Sequence, residues 1–151
     1  MERKRTHRVG AGHRSDAPDA IPNGHQVRVI KQVYDRILDG VQGRYGNQVT
    51  SDQELREMMN HYKLTPGEVG SKGDFESMVD NNENVLYGIY NTDHHPPGTH
   101  WFCVYDGYVY DPLGDDQSKT PEQPKEDDDC GQRCIAYLIM CKKLGKGAIL
   151  M

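Results

Sequence analysis

A chain of 151 residues with 35% hydrophobic and 27% charged side chains and a net charge of −5 has the length of one domain with one modest core. A mean hydropathy of −0.84 leaves little apolar material for an extended interface, and the apolar run from Ile135 to Met140 is too short to span a membrane. No apolar segment follows the charged N-terminus, so a secretory signal is not expected, and four cysteines without one speak for a reducing compartment over a disulfide framework.

Residues 1–24 place Arg3, Lys4, Arg5, Arg8 and Arg14 among Gly, Ser, Pro and Asp, which predicts a flexible basic arm. Such an arm is either a solvated tail or a segment for nuclear targeting or loose nucleic-acid contact through residues 1–14. Residues 25–151 read as a single domain. From Gln26 to Leu38 the apolar positions Val27, Ile30, Val33, Tyr34, Ile37 and Leu38 recur at steps of three and four, predicting an amphipathic helix that stops at Gly40. Ser51 with Glu54 is a capping box for a second helix reaching about Tyr62, broken by Thr65-Pro66-Gly67. Asp74 is the expected cap of a short third helix from Phe75 to Val79, and Val85 to Tyr90 reads as a buried strand.

Asp106-Gly107 between Trp101–Tyr105 and Tyr108–Tyr110 is a strong two-residue hairpin signal. It pairs Tyr105 with Tyr108, Val104 with Val109 and Cys103 with Tyr110. Alternation then puts His100, Phe102 and Val104 on one face with Val109 and Asp111, so that His100 and Asp111 become diagonal neighbours. A slip of one residue would separate them. Residues 115–129 hold Asp115, Asp116, Glu122, Glu126, Asp127, Asp128 and Asp129 against Lys119 and Lys125. With two prolines and no large apolar residue, they read as a surface loop suited to attracting basic substrate segments.

From Cys130 a helix is expected, with Cys134, Leu138 and Cys141 on its buried stripe. Cys130 itself falls at the helix N-terminus, where orphan amides and the dipole favour a thiolate. Cys103, Cys134 and Cys141 read as small core hydrophobes. His94, His95, His100, Cys130 and Cys134 are the candidate metal ligands. The gap between the two cysteines is not a zinc-knuckle spacing and no second pair exists, so no metal is expected. His94 and His95 read as solvent-exposed or substrate-facing.

The order Gly98-Thr-His100-Trp101, Tyr110-Asp111-Pro-Leu-Gly114, Gln123, Asp129-Cys130-Gly131 and Cys134 resembles the adenovirus protease family and, more broadly, the clan that includes the SUMO-specific proteases. The resemblance spans about residues 85–145. It implies an α+β, papain-like fold: helices packed on a small sheet with antiparallel pairing and the nucleophile at a helix N-terminus. It further implies a cysteine endopeptidase with Cys130 as nucleophile, His100 as base, Asp111 as orienter, and Gln123 with the Cys130 amide as oxyanion hole. Trp101 is expected to pack behind the histidine, and Trp101 and Gly131 to contact substrate. No cofactor is implied beyond a DNA or peptide activator. The adenoviral enzymes join such a peptide through a disulfide, and Pro112 stands near the corresponding position here. The expected substrate is a viral capsid or core precursor, processed in the virion or in the host nucleus or cytoplasm. Alternatives are removal of a ubiquitin-like protein and an inactive fold kept as a virion or partner-binding module.

Overall fold

The computed structural model describes residues 6–8, 24–92, 100–112 and 129–145, with backbone alone at 6–8 and 24–27. The elements in chain order are β1 (Thr6–Arg8), α1 (Gly24–Tyr45), α2 (Asp52–His61), β2 (Gly67–Gly70), α3 (Lys72–Asp80), β3 (Tyr87–Asn91), β4 (Trp101–Tyr105), β5 (Tyr108–Tyr110) and α4 (Cys130–Leu144). The strands form one sheet in the order β1-β5-β4-β3-β2. β2 and β3 run parallel and the other neighbours antiparallel. The class is α+β. No helix among the described residues is long and apolar enough to cross a membrane.

Side chains alternate across the sheet and so divide the interior in two. Tyr87, Ile89, Trp101, Cys103 and Tyr110 face the principal core, which α1, α2 and α4 complete. Tyr90, Phe102, Val104 and Val109 face a smaller cluster closed by Phe75 and Met78 of α3. α4 is the hub. From Cys130 to Cys141 every residue except Arg133 is buried, so it is a central helix enclosed by neighbours and not the one-sided stripe that periodicity suggested. Tyr137 stacks on Tyr110 with ring centroids 4.0 Å apart and planes 2° from parallel. That contact ties the end of β5 to α4.

Several boundaries differ from the sequence reading. α1 does not stop at Gly40 but continues to Tyr45. A glycine inside a helix costs about 1 kcal/mol, whereas burying Val41 against the core returns about 1.5–3 kcal/mol. Packing therefore decides. α3 starts at Lys72 with Ser71 as its cap. The Ser71 hydroxyl accepts from the Asp74 amide at 3.2 Å, and the Asp74 carboxylate accepts from the Ser71 amide at 2.8 Å. Asp74 is thus the reciprocal member of a capping box and not the cap itself. β2 has no counterpart in the sequence reading, because Gly-Glu-Val-Gly after a proline looks like a turn. It becomes a strand by pairing with β3, and a Cβ on Gly67 would meet Met59 Cε at 2.5 Å and the Leu64 carbonyl oxygen at 2.7 Å. Only glycine fits there. Within the segment expected to be a flexible arm, residues 6–8 form β1 on the outer edge of β5, where unpaired backbone groups would otherwise face solvent.

The second helix and the hairpin follow expectation. Ser51 and Glu54 form their capping box. The hairpin register is Cys103 to Tyr110, Val104 to Val109 and Tyr105 to Tyr108. Asp106 and Gly107 take positive φ angles of 49° and 87°, the conformation that such a two-residue turn requires.

Candidate active site

The hairpin sets the first two members of the site. His100 immediately precedes β4 and Asp111 immediately follows β5, and the imidazole Nε2 lies 2.6 Å from Asp111 Oδ1. Their side chains are 14% and 25% exposed. The His100 carbonyl accepts from the Thr92 amide at 3.0 Å, which holds its backbone to the end of β3. Phe102, Val104 and Val109 face the smaller cluster, so strict alternation would point His100 away from α4. Both site residues lie one position beyond the strands, where the pleat ends, and the pair meets the helix at the rim of the sheet.

Cys130 is the first residue of α4 and is 4% exposed. The Trp101 backbone amide donates to its Sγ at 3.3 Å, and the thiol lies near enough to the His100 imidazole to favour its charged form. Because Nε2 is engaged by Asp111, Nδ1 is the ring nitrogen left for sulfur. Burial acts to lower the imidazole pKa and is the largest single influence. The hydrogen bond to Asp111, the nearness of Cys130 and the attraction of their negative charges together outweigh it, raising His100 to about 9. The imidazole is therefore cationic at neutral pH, between a carboxylate and a thiol at a helix N-terminus. That is an arrangement suited to nucleophilic acyl transfer.

A scaffold beneath these groups holds the α1–α2 connection against α4. The Trp101 indole N–H donates to the Thr50 carbonyl at 3.0 Å. Gln132 Nε2 donates to the Gly46 and Gln48 carbonyls at 3.1 and 2.9 Å. A Cβ on Gly131 would lie 2.0 Å from Thr50 Oγ1. Trp101 and Gly131 were expected to contact substrate, but both are buried. Trp101 packs beside the histidine, and Gly131 packs beside Cys130 against Thr50.

Asp129 completes the neighbourhood. Its Oδ2 accepts from Gln42 Nε2 at 2.6 Å and its Oδ1 from Arg133 Nε at 3.0 Å. The Asp129–Arg133 spacing of four residues was visible in the sequence. Gln42 was not, because nothing in α1 announces a partner 87 positions away. The same holds for Thr50 and Gln132.

The other cysteines are separate from this chemistry. Cys134 Sγ donates to the Trp101 carbonyl at 3.6 Å, and burial pushes the Cys103, Cys134 and Cys141 thiols upward. Such thiols are inert core members. Gln123, His94, His95 and residues 115–128 of the acidic run lie outside the described residues. Among the described residues no three His, Cys, Asp or Glu side chains gather as metal ligands. No protein-family model, curated protein or solved structure matches the chain.

Proposed function

We propose that this chain is a cysteine endopeptidase with Cys130 as nucleophile, His100 as general base and acid, and Asp111 as its orienter. The observation that carries the reading is the 2.6 Å contact of the His100 imidazole with the Asp111 carboxylate beside a thiol at the first residue of α4, whose sulfur accepts from the Trp101 amide next to His100 in the chain.

In this mechanism the Cys130 thiolate attacks a peptide carbonyl carbon while His100 holds the thiol proton. The tetrahedral intermediate collapses, His100 passes that proton to the departing amine, and a thioester remains on Cys130. Water, deprotonated by His100, then attacks the thioester and releases the acid and the free thiol. Asp111 fixes the ring orientation and stabilises the imidazolium. The Trp101 amide donates to the sulfur and holds it beside the imidazole. The Cys130 amide serves the oxyanion, with the Gln123 side chain as second donor by resemblance to the adenoviral enzymes. Losing one such donor costs about a hundredfold in rate or more.

The order of the motifs and the basic N-terminal segment favour a viral maturation protease that cleaves capsid or core precursors in the virion or in the host nucleus or cytoplasm. The test is the iodoacetamide alkylation rate of Cys130 against pH in the wild type and in His100→Ala, followed by cleavage assays. Fast alkylation at pH 6 that collapses in the variant is expected, as is cutting of a Gly-containing peptide. Slow alkylation near the ordinary thiol range in both proteins would overturn the reading and leave a binding module. Preference for a ubiquitin-like fusion over the peptide would keep the chemistry and change the substrate to a conjugate.

A further inference from the structure

Trp101 is the first residue of β4, and both polar groups of its backbone are bound by sulfur. Its amide donates to Cys130 Sγ at 3.3 Å, and its carbonyl accepts from Cys134 Sγ at 3.6 Å. The register explains how a helix comes to reach these groups. The His100 carbonyl accepts from the Thr92 amide, and the Asp106 amide donates to the Leu86 carbonyl. Even-numbered residues of this stretch therefore turn their polar groups toward β3, and in antiparallel pairing the odd-numbered ones face β5. There Tyr105 meets Tyr108 and Cys103 meets Tyr110. One pair further, Trp101 falls opposite Pro112, but β5 ends at Tyr110. Proline has no N–H to offer a facing carbonyl. Cys134 supplies the donor in its place.

Cys130 and Cys134 stand one helical turn apart on the same face of α4. The upper sulfur meets the peptide that joins His100 to Trp101. The N–H and C=O of a trans peptide point in opposite directions, and here the N–H goes to Cys130 while the C=O goes to Thr92. The lower sulfur takes the next carbonyl along the strand. Burial keeps the Cys134 thiol protonated, so its S–H stays available as a donor. Cys134 makes and breaks no bond with substrate. Its effect is on where α4 lies along β4, and so on where Cys130 lies relative to His100.

We propose that Cys134 is a positioning residue for Cys130: its thiol, donating to the Trp101 carbonyl, fixes the start of β4 against α4 and sets the nucleophilic sulfur beside the His100 imidazole. This rests on the reading of Cys130 as nucleophile.

The experiment compares wild type with Cys134→Ala and Cys134→Ser, which both remove the sulfur and differ in the hydroxyl donor. Three quantities are measured: the alkylation rate of Cys130 at pH 7, the titration midpoint of His100 by NMR, and the thermal midpoint. In Cys134→Ala, alkylation is expected to slow by about tenfold as the reacting groups lose their alignment. The His100 titration falls below its wild-type value of about 9, because a displaced Cys130 no longer helps to hold the imidazolium. Cys134→Ser recovers most of both, although its thermal midpoint drops with that of Cys134→Ala. A thiol that merely fills space would leave alkylation and the His100 titration unmoved in both variants, or would make Cys134→Ser as slow as Cys134→Ala. Either result overturns the proposal. Should Cys134→Ala not fold, Cys134→Val fills the space without a donor and is expected to be slow, and alkylation at the wild-type rate in that variant overturns the proposal equally. Failure of the nucleophile reading looks different, because wild-type alkylation would then already be slow and indifferent to His100→Ala.

Discussion

His100 is where several forces meet on one side chain. Burial alone would leave it neutral. The 2.6 Å contact with Asp111 and the nearness of Cys130 reverse that and hold the imidazole protonated up to about pH 9. The distance matters because a charge-assisted hydrogen bond of this length is about twice as strong as a neutral one. Asp111→Asn keeps the shape and removes the charge. In peptide hydrolysis, the alkaline limb of kcat/KM is expected near pH 9 in the wild type and nearer 6.5 in the variant, with a large loss of rate at neutral pH. A limb that stays near 9 in Asp111→Asn would show that the carboxylate does not set the histidine. At this scale the candidate set was largely visible in advance. Residue type restricts chemistry severely, and a histidine, a carboxylate and a cysteine in order leave few alternatives. Trp101, expected to pack behind the histidine, is fully buried beside it, and Gly131 is buried as well.

Elements that read clearly in the sequence are those whose signals are local. The Ser51 capping box, the Asp106-Gly107 turn and the period of α1 are each written within a few residues. The elements that escaped, β1 and β2, exist only because a partner strand supplies hydrogen bonds to short, weakly patterned segments. The same distinction governs the contact between α4 and the α1–α2 connection. Gly131 is the point where α4 and Thr50 touch. Gly131→Ala forces a methyl group to within 2.0 Å of Thr50 Oγ1, so that Thr50 or the helix must shift. A loss of about 1–3 kcal/mol in urea unfolding is expected for an overpacked site, with the m-value unchanged. Wild-type stability in this variant would mean that the two elements are not in rigid contact there.

Across the whole molecule the site is also a contributor to folding. The folded-state pKa of His100, about 9, lies above the ordinary value of about 6.5 for an unfolded chain. Its stabilising contribution is therefore present in full below pH 6.5 and is lost as pH rises through 9. The shift corresponds to about 3 kcal/mol. The unfolding free energy of wild type minus that of His100→Gln should decline between pH 6.5 and 9 and level off above. A flat difference over that interval would contradict the linkage. On the proposed mechanism, stability and activity decline together on the alkaline side, because the same protonated imidazole enters both.

The chain order of His100, Asp111 and Cys130, the hairpin register and the helix on which the thiol sits were all written in residue types and short spacings, because turns, caps and alternation are set by neighbours along the chain. Gln42 on the Asp129 carboxylate, Thr50 against Gly131, and His100 turned toward α4 at the end of the pleat were decided by packing. They depend on which surfaces of α1, α4 and the sheet meet, and residues up to 87 positions apart carry no mark of one another until those surfaces close.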